Sequence, residues 1–374
     1  ELKILSSENY DSEVRDVAET AEKLFRKYED QTTAVIVNAN RDADLISTEL
    51  TEYGISHFKV SGSDLFSSPE VKLLLAHLNI LANGNNFIAW ARLLKGLKVF
   101  AQNSTARRFV RALLDRAISP ADLVEYDADG TYLQEFVSVY DNSDIVIFDT
   151  ETTGLNVFED DIVQIAAVKM RRGKIVEGSA LSLFIATDRE IPRMLGDVEN
   201  PIIEEMRHHE LLDRKEALLR FMDYVGDSVL LGHNADYDYN ILENNLKRCG
   251  SGVELRKRCP RYLDSLRLVR LLEPELKEHK LKYLLAVLGL EGSNSHLADE
   301  DVAATCSVVN HCYGKARTMI EEQRRFLNDR RVADYVSALR RRYAEFYRRA
   351  RHTMYDRGRN GDRPVLVGEM LHFY

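Results

Sequence analysis

Within Ile145-Val-Ile-Phe-Asp-Thr-Glu-Thr-Thr-Gly154, an apolar run of strand type ends on two carboxylates, Asp149 and Glu151. Residues two apart on a strand point to one face, so both acids project together. Neighbouring anions in a sheltered place are costly unless a cation lies between them, and hard oxygen donors suit Mg2+ or Mn2+. Thr152, Thr153 and Gly154 then end the strand with turn chemistry. A second buried strand, Ser228-Val-Leu-Leu-Gly232, runs into His233-Asn-Ala-Asp-Tyr-Asp238, the opening of a helix, and Asp238 supplies a third acid. Ser295-His-Leu-Ala-Asp-Glu-Asp301 starts another helix with a dense acidic turn, and its spacing can bring the His296 imidazole and the Asp301 carboxylate to one site. Four acids and a histidine are what phosphodiester hydrolysis asks for: two dications about 4 Å apart neutralise the phosphate, activate water and stabilise the leaving oxygen. A base with a pKa near 6.5 takes the proton of the water. Asp149, Glu151, Asp238 and Asp301 are therefore the expected metal ligands, His296 the expected general base, and two Mg2+ (or Mn2+) the expected cofactors.

The elements around these residues alternate between the two periodicities. Asp161 to Lys169 and Gly173 to Ile185 read as strands joined by a turn at Arg171-Arg-Gly173, giving with the first strand an antiparallel meander. Ile202–Arg207, Arg214–Val225 and Leu281–Leu288 read as helices. Upstream, residues 9–30 have helical spacing, Thr33–Asn38 reads as a buried strand, Asp42–Tyr53 as a helix, Ser56–Val60 as a short strand, and Pro69–Leu81 and Phe87–Leu94 as helices. This β-α-β order suits a parallel sheet. Ser119-Pro120 and Asp127-Ala-Asp-Gly130 read as a connector, with a domain break near residues 141–143. From Met319 on, apolar residues recur at helical spacing, and between Glu321 and Arg363 stand 13 Arg and no Lys against seven acids. That excess reads equally as a phosphate-backbone contact or as the solvated face of a packed helix.

The whole chain of 374 residues has room for two or three domains, and its formal charge of −9 excludes a generally basic nucleic-acid binder. The four cysteines show no C-x-x-C pairing, which argues against a zinc ribbon or a disulfide framework and suits a reduced, cytoplasmic setting. No stretch approaches the roughly 20 apolar residues of a membrane span. The start at Glu1 and a strand-like end, Pro364 to Tyr374, suggest a piece of a longer protein.

Phe148-Asp-Thr-Glu-Thr-Thr-Gly154, His233-Asn-Ala-x-Tyr-Asp238 and His296-x-x-x-x-Asp301 resemble, in order and context, the three motifs of the DEDDh (DnaQ-like) 3′→5′ exonucleases. The resemblance covers about residues 144–316. It implies an RNase H-like fold, a mixed five-stranded sheet flanked by helices, and release of 5′-mononucleotides from a 3′ end. It implies that Thr152, Thr153 and Leu155 contact the terminal nucleotide, with His233 and Asn234 on the substrate side of the helix junction. It also favours Asp238 over Asp236, its competitor in the same junction. Gln164 departs from the Glu that many members carry there. Asp264 reads as a helix cap, and Asp299 and Glu300 as complements of the helix dipole.

A second resemblance covers roughly residues 1–120 of a first domain read over residues 1–140. Ala34 to Asn40, Gly54-Ile55 and Gly62 to Lys72 are similar to the start of the second RecA-like domain of UvrD-like superfamily 1 helicases. Asn38 stands where that family carries an arginine, and no phosphate loop of the Walker A type occurs in the chain. This partial α/β segment therefore reads as a scaffold, its ATPase half a possible partner in a longer parent. Residues 317–374 complete the organisation as an Arg-rich helical tail. The expected activity is exonucleolytic, on DNA before RNA. An RNA-trimming exonuclease and a non-catalytic nucleic-acid or helicase-docking module are the alternatives.

Overall fold

The computed structural model describes residues 4–28, 31–60, 69–126, 130–195, 198–292 and 298–359. The chain divides into two compact units, one containing residues up to Ala106 and those from Arg349 on, the other Arg107–Arg348.

The first unit begins with α1 (Tyr10–Lys27) and α2 (Asn40–Glu52). Asn9 caps α1, accepting from the Ser12 amide at 2.9 Å while the Ser12 hydroxyl accepts from the Asn9 amide at 3.0 Å. Val14, Ala18 and Ala21 of α1 close on Ile46 and Leu50 of α2. Next, α3 (Pro69–Ala82) packs on α4 (Phe87–Gly96). The strands expected at Thr33–Asn38 and Ser56–Val60 do not form, and Ile36 and Val60 are 93% and 77% exposed. A strand is held by its neighbours' backbone bonds and side-chain pairs, and neither stretch has a strand to pair with among the described residues; Val37 packs on the α1–α2 cluster, and His57 and Lys59 reach Ser47 and Asp44 of α2 through their side chains. The RecA-like sheet is thus not seen among the described residues.

The second unit is laid on one mixed sheet. Its opening helices are α5 (Asn103–Leu114, which starts in the first unit), α6 (Asp122–Glu125) and α7 (Tyr132–Asn142). There follow β1 (Asp144–Thr152), β2 (Ile162–Arg171), β3 (Lys174–Ile175), β4 (Leu181–Ile185), β5 (Met194–Leu195), β6 (Val198–Glu199), α8 (Ile202–His208), β7 (Leu211–Leu212) and α9 (Arg214–Val225). Then come β8 (Val229–Gly232), α10 (Ala235–Arg248), α11 (Leu255–Arg258), β9 (Tyr262–Asp264), α12 (Ser265–Leu272), α13 (Leu281–Leu288), α14 (Ala298–Leu327) and α15 (Arg330–Arg359). The strand order is β7-β4-β2-β1-β8-β9, with β3 on β2. The meander β1-β2-β4 is antiparallel, whereas β8 and β9 run parallel to β1. The expected five strands are the body of the sheet, and two-residue β3 and β7 are additions to it.

Alternation along β1 divides the core. Ile145 and Ile147 face α7, α12, α13 and α14, while Val146 and Phe148 face α9, α10 and α11. Each of these four side chains is at most 1% exposed, and burial of one such side chain stabilises by about 1.5–3 kcal/mol. The alternation continues to Asp149 and Glu151, which share the parity of Ile145 and Ile147 and so come out on the α14 side. The strand is straight to Glu151, where the register with β2 shifts and the chain turns away.

The unit reaches upstream of the break read near residues 141–143, because α5–α7 belong to its core. Leu133 and Phe136 of α7 lie against α14 and β1, and Thr131 and the backbone at Arg116 and Ala117 bond to Gln323 on α14. The start of α15 is fixed in the same way: Phe109 meets the Tyr335 ring edge-on at 5.7 Å, and Arg340 donates to the Leu123 carbonyl at 2.7 Å and to that of Tyr126. Part of the arginine-rich stretch is therefore a packing surface. No described helix is long and apolar enough to cross a membrane.

Candidate active site

Three elements bring the acids to one end of the sheet. Asp149 and Glu151 end β1, Asp238 sits in the first turn of α10, and Asp301 in the first turn of α14. The approach of α10 depends on Gly232, where a Cβ would lie 3.3 Å from the Phe148 carbonyl oxygen and 3.2 Å from Ala235. Asn234 then takes a left-handed φ of 68°, which Asn tolerates better than most residues, and its amide donates to Asp264 at 2.9 Å. Asp238 is buried, and one of its oxygens accepts from both the Thr150 hydroxyl, at 2.6 Å, and the Thr150 amide, at 3.1 Å.

The electrostatics of the cluster are those of anions gathered without a cation. Burial, and then the charges of Asp238, Glu151 and Asp301, hold the Asp149 carboxyl well above the usual carboxylate range. Burial and the charges of Asp301 and Asp238 push Glu151 up to about 8. Burial pushes Asp238 up to about 7, against the lowering effect of the Thr150 bonds. Among the described residues, no group of three or more His, Cys, Asp and Glu side chains is set in ready-made metal-holding geometry. The donor set nevertheless fits hard divalent cations: four carboxylates on three elements, each disfavouring the ionised form of its neighbours. His296 lies outside the described residues.

The other expected substrate residues divide. Leu155 is 88% exposed at the mouth of the β1–β2 loop. Thr152 and Thr153 are committed to that loop: the Thr152 hydroxyl donates to the Gly154 carbonyl at 2.9 Å, and the Thr153 hydroxyl donates to Asp160 at 3.1 Å and accepts from the Asp161 amide at 2.9 Å. Both ring nitrogens of His233 are engaged, with the Ser265 hydroxyl and the His279 carbonyl, each at 2.9 Å. The ring therefore holds the junction. Asp236 accepts from the Tyr262 hydroxyl, and Asp264 caps α12 through the Leu266 amide at 2.8 Å.

Sequence reasoning missed three participants. Tyr237 donates to the Gly154 carbonyl at 2.6 Å and shares a 2.7 Å bond with the Thr152 hydroxyl, tying the loop to α10. Phe158, 71% exposed, lies on the same loop as Leu155. Asp299 is bonded by Gln164 and Ser182 and is more than a dipole complement. Only Phe158 carried a signal, as an aromatic residue near Leu155 in a loop that also holds Asn156, Glu159 and Asp160.

A mixed sheet whose first strand carries an acid pair, with a third acid on the helix after its parallel neighbour, is RNase H-like exonuclease architecture. The family model RNase_T, described as Exonuclease, matches residues 146–309; this region is an exonuclease domain, of the hydrolases that act on phosphodiester bonds. Among curated relatives, the DNA polymerase III PolC-type of Clostridium perfringens is 31% identical over 176 residues, 47% of this chain and 12% of that protein. The PolC-type polymerase of Latilactobacillus sakei is 32% identical over 213 residues, 57% of this chain and 14% of that one. The chain thus spans about an eighth of the length of these relatives. Among solved structures, E. coli exonuclease I in complex with a dT13 oligonucleotide is similar at 18% identity and a TM-score of 0.41, over 48% of this chain and 43% of that one.

Proposed function

We propose that the second unit acts as a divalent-metal-dependent 3′→5′ exonuclease releasing 5′-mononucleotides from a nucleic-acid end. One observation carries the reading: Asp149, Glu151, Asp238 and Asp301 come from three separate elements to the end of β1, where burial and their mutual charge favour protons or cations. Two Mg2+ ions held by these carboxylates would neutralise the scissile phosphate, acidify the attacking water and stabilise the leaving 3′ oxygen. The protein's own part is positioning. Thr150 fixes one oxygen of Asp238 and leaves the other for the site. Tyr237 holds the loop on which Leu155 and Phe158 offer apolar surface to the terminal base. His296, just ahead of α14, is assigned the proton of the attacking water. The relatives named DNA polymerase III make DNA the first substrate to test, with RNA beside it.

The test is product analysis on oligonucleotides labelled at the 5′ end, as DNA and as matched RNA. The reading expects a ladder shortening from the 3′ end with mononucleotide 5′-phosphates as product. Shortening from the 5′ end, or cleavage unaffected by chelator, would contradict it.

A further inference from the structure

Gln164 stands on β2 directly opposite Glu151 of β1, on the same face, and is 1% exposed. Its amide nitrogen donates to Asp299 Oδ2 at 3.0 Å and lies 3.1 Å from the Ser182 hydroxyl of β4. The Ser182 hydroxyl donates to the same Asp299 oxygen at 3.0 Å. One carboxylate oxygen of α14 is thus gripped by donors from two strands. The amide's own Oε1 is buried without a partner among the described residues, a cost set against those bonds.

Asp299 and Asp301 share the first turn of α14. Helix residues two apart point to roughly opposite sides, so with Asp299 held on the β2–β4 side, Asp301 is turned away from it, toward β1, on which α14 packs. Ala298 and Val302, buried on either side of them, fix the depth of this turn. The Asp299 contacts tie the same turn to the sheet from the side.

We propose that Gln164, Ser182 and Asp299 form a positioning latch that sets the rotation of the α14 N-terminus, and with it the place of Asp301 in the metal site. The proposal rests on the reading of the four acids as metal ligands. None of the three latch residues is itself assigned to the metal. Gln164 serves as a donor here: a carboxylate in its place would face the Asp299 carboxylate, and an amide at residue 299 would then restore a donor–acceptor pair with the roles reversed.

Mg2+ titration by calorimetry on the whole chain, with the melting of each protein in EDTA, tests this. Asp299→Ala removes an exposed side chain and spares the core. It should weaken Mg2+ binding roughly 10–100-fold, as loss of a group that orients a ligand does, with the melting temperature in EDTA lowered by only a few degrees, the scale of one lost hydrogen bond. Gln164→Glu should weaken binding similarly, and the double variant Gln164→Glu, Asp299→Asn should recover to within a few-fold of the parent. Unchanged Mg2+ affinity in Asp299→Ala, or a double variant no better than Gln164→Glu, overturns the latch. A parent chain that binds Mg2+ yet cuts neither DNA nor RNA removes the exonuclease reading alone, and the titration still decides the latch; a parent chain that binds no Mg2+ removes both.

Discussion

Glu151 shows at the scale of one residue what the site demands. Its carboxyl is pushed from 4.5 to about 8, so the folded, metal-free chain prefers it protonated. A raised acid stabilises the fold fully below its unfolded pKa and loses that contribution as pH climbs through the folded one. Metal-free protein should therefore lose stability between about pH 4.5 and pH 8, and Glu151→Gln should remove the share of that loss that Glu151 contributes, leaving those of Asp149 and Asp238. With about 1.36 kcal/mol per pKa unit and a discount for partial exposure, we expect the variant to be more stable than the parent by on the order of 1–3 kcal/mol at pH 8, with no gain at pH 4.5. Urea unfolding in EDTA at the two pH values reads this directly. At the rim, Leu155 and Phe158 are exposed without a packing role. Stacking on a base is worth about 1–3 kcal/mol, so Phe158→Ala should raise KM roughly 5–160-fold with kcat nearly unchanged; an equal fall in kcat would place the ring elsewhere in the reaction.

Among elements, the β1–β2 loop is held by α10 at both ends: Asn245 and Arg248 bond the backbone at Glu159 and Asp160, and Tyr237 holds the end next to β1. The Tyr237 hydroxyl joins the Gly154 carbonyl and the Thr152 hydroxyl, and Gly154 itself has no room for a Cβ, which would come within 3.0 Å of the Asp160 carboxylate. Tyr237→Phe keeps the ring and loses the tie. At about 0.5–1.5 kcal/mol for one hydrogen bond, KM should rise roughly 2–12-fold with little change in melting temperature. Steady-state kinetics beside a melting curve separates this from general destabilisation. The acids on β1, at the opening of α10 and at the start of α14 were legible in the sequence because each follows from a local rule: alternation on a strand or acid placement at a helix start. The Glu151–Gln164 register, the Asp299 latch and the Tyr237 tie were not, since each joins residues far apart in sequence whose meeting depends on how elements stack.

For the molecule as a whole, the same distinction explains the boundaries. Composition changes near residues 141–143 and 317, but packing does not follow it: α14 runs unbroken through Leu327, and α7 completes the core beneath β1, with α6 and most of α5 in the same unit. Those helices are tied down by polar contacts no local pattern displays, among them buried Asp122, which Arg267 bridges at 2.9 Å while stacking on Tyr132. The strands read at Thr33–Asn38 and Ser56–Val60 had suitable composition and no strand to pair with among the described residues, and strand propensity without a partner makes no sheet. The central claim, that four acids at the end of β1 form a cation-dependent nuclease site, meets its most direct test in one experiment: cleavage of a 5′-labelled DNA strand by the parent chain and by Asp149→Ala, each across a Mg2+ titration. The account predicts Mg2+-dependent shortening from the 3′ end that the variant loses by at least about 10³-fold, the scale on which loss of a catalytic group acts. Equal cleavage by both proteins, or none by the parent at any Mg2+ concentration on DNA or RNA, would contradict it.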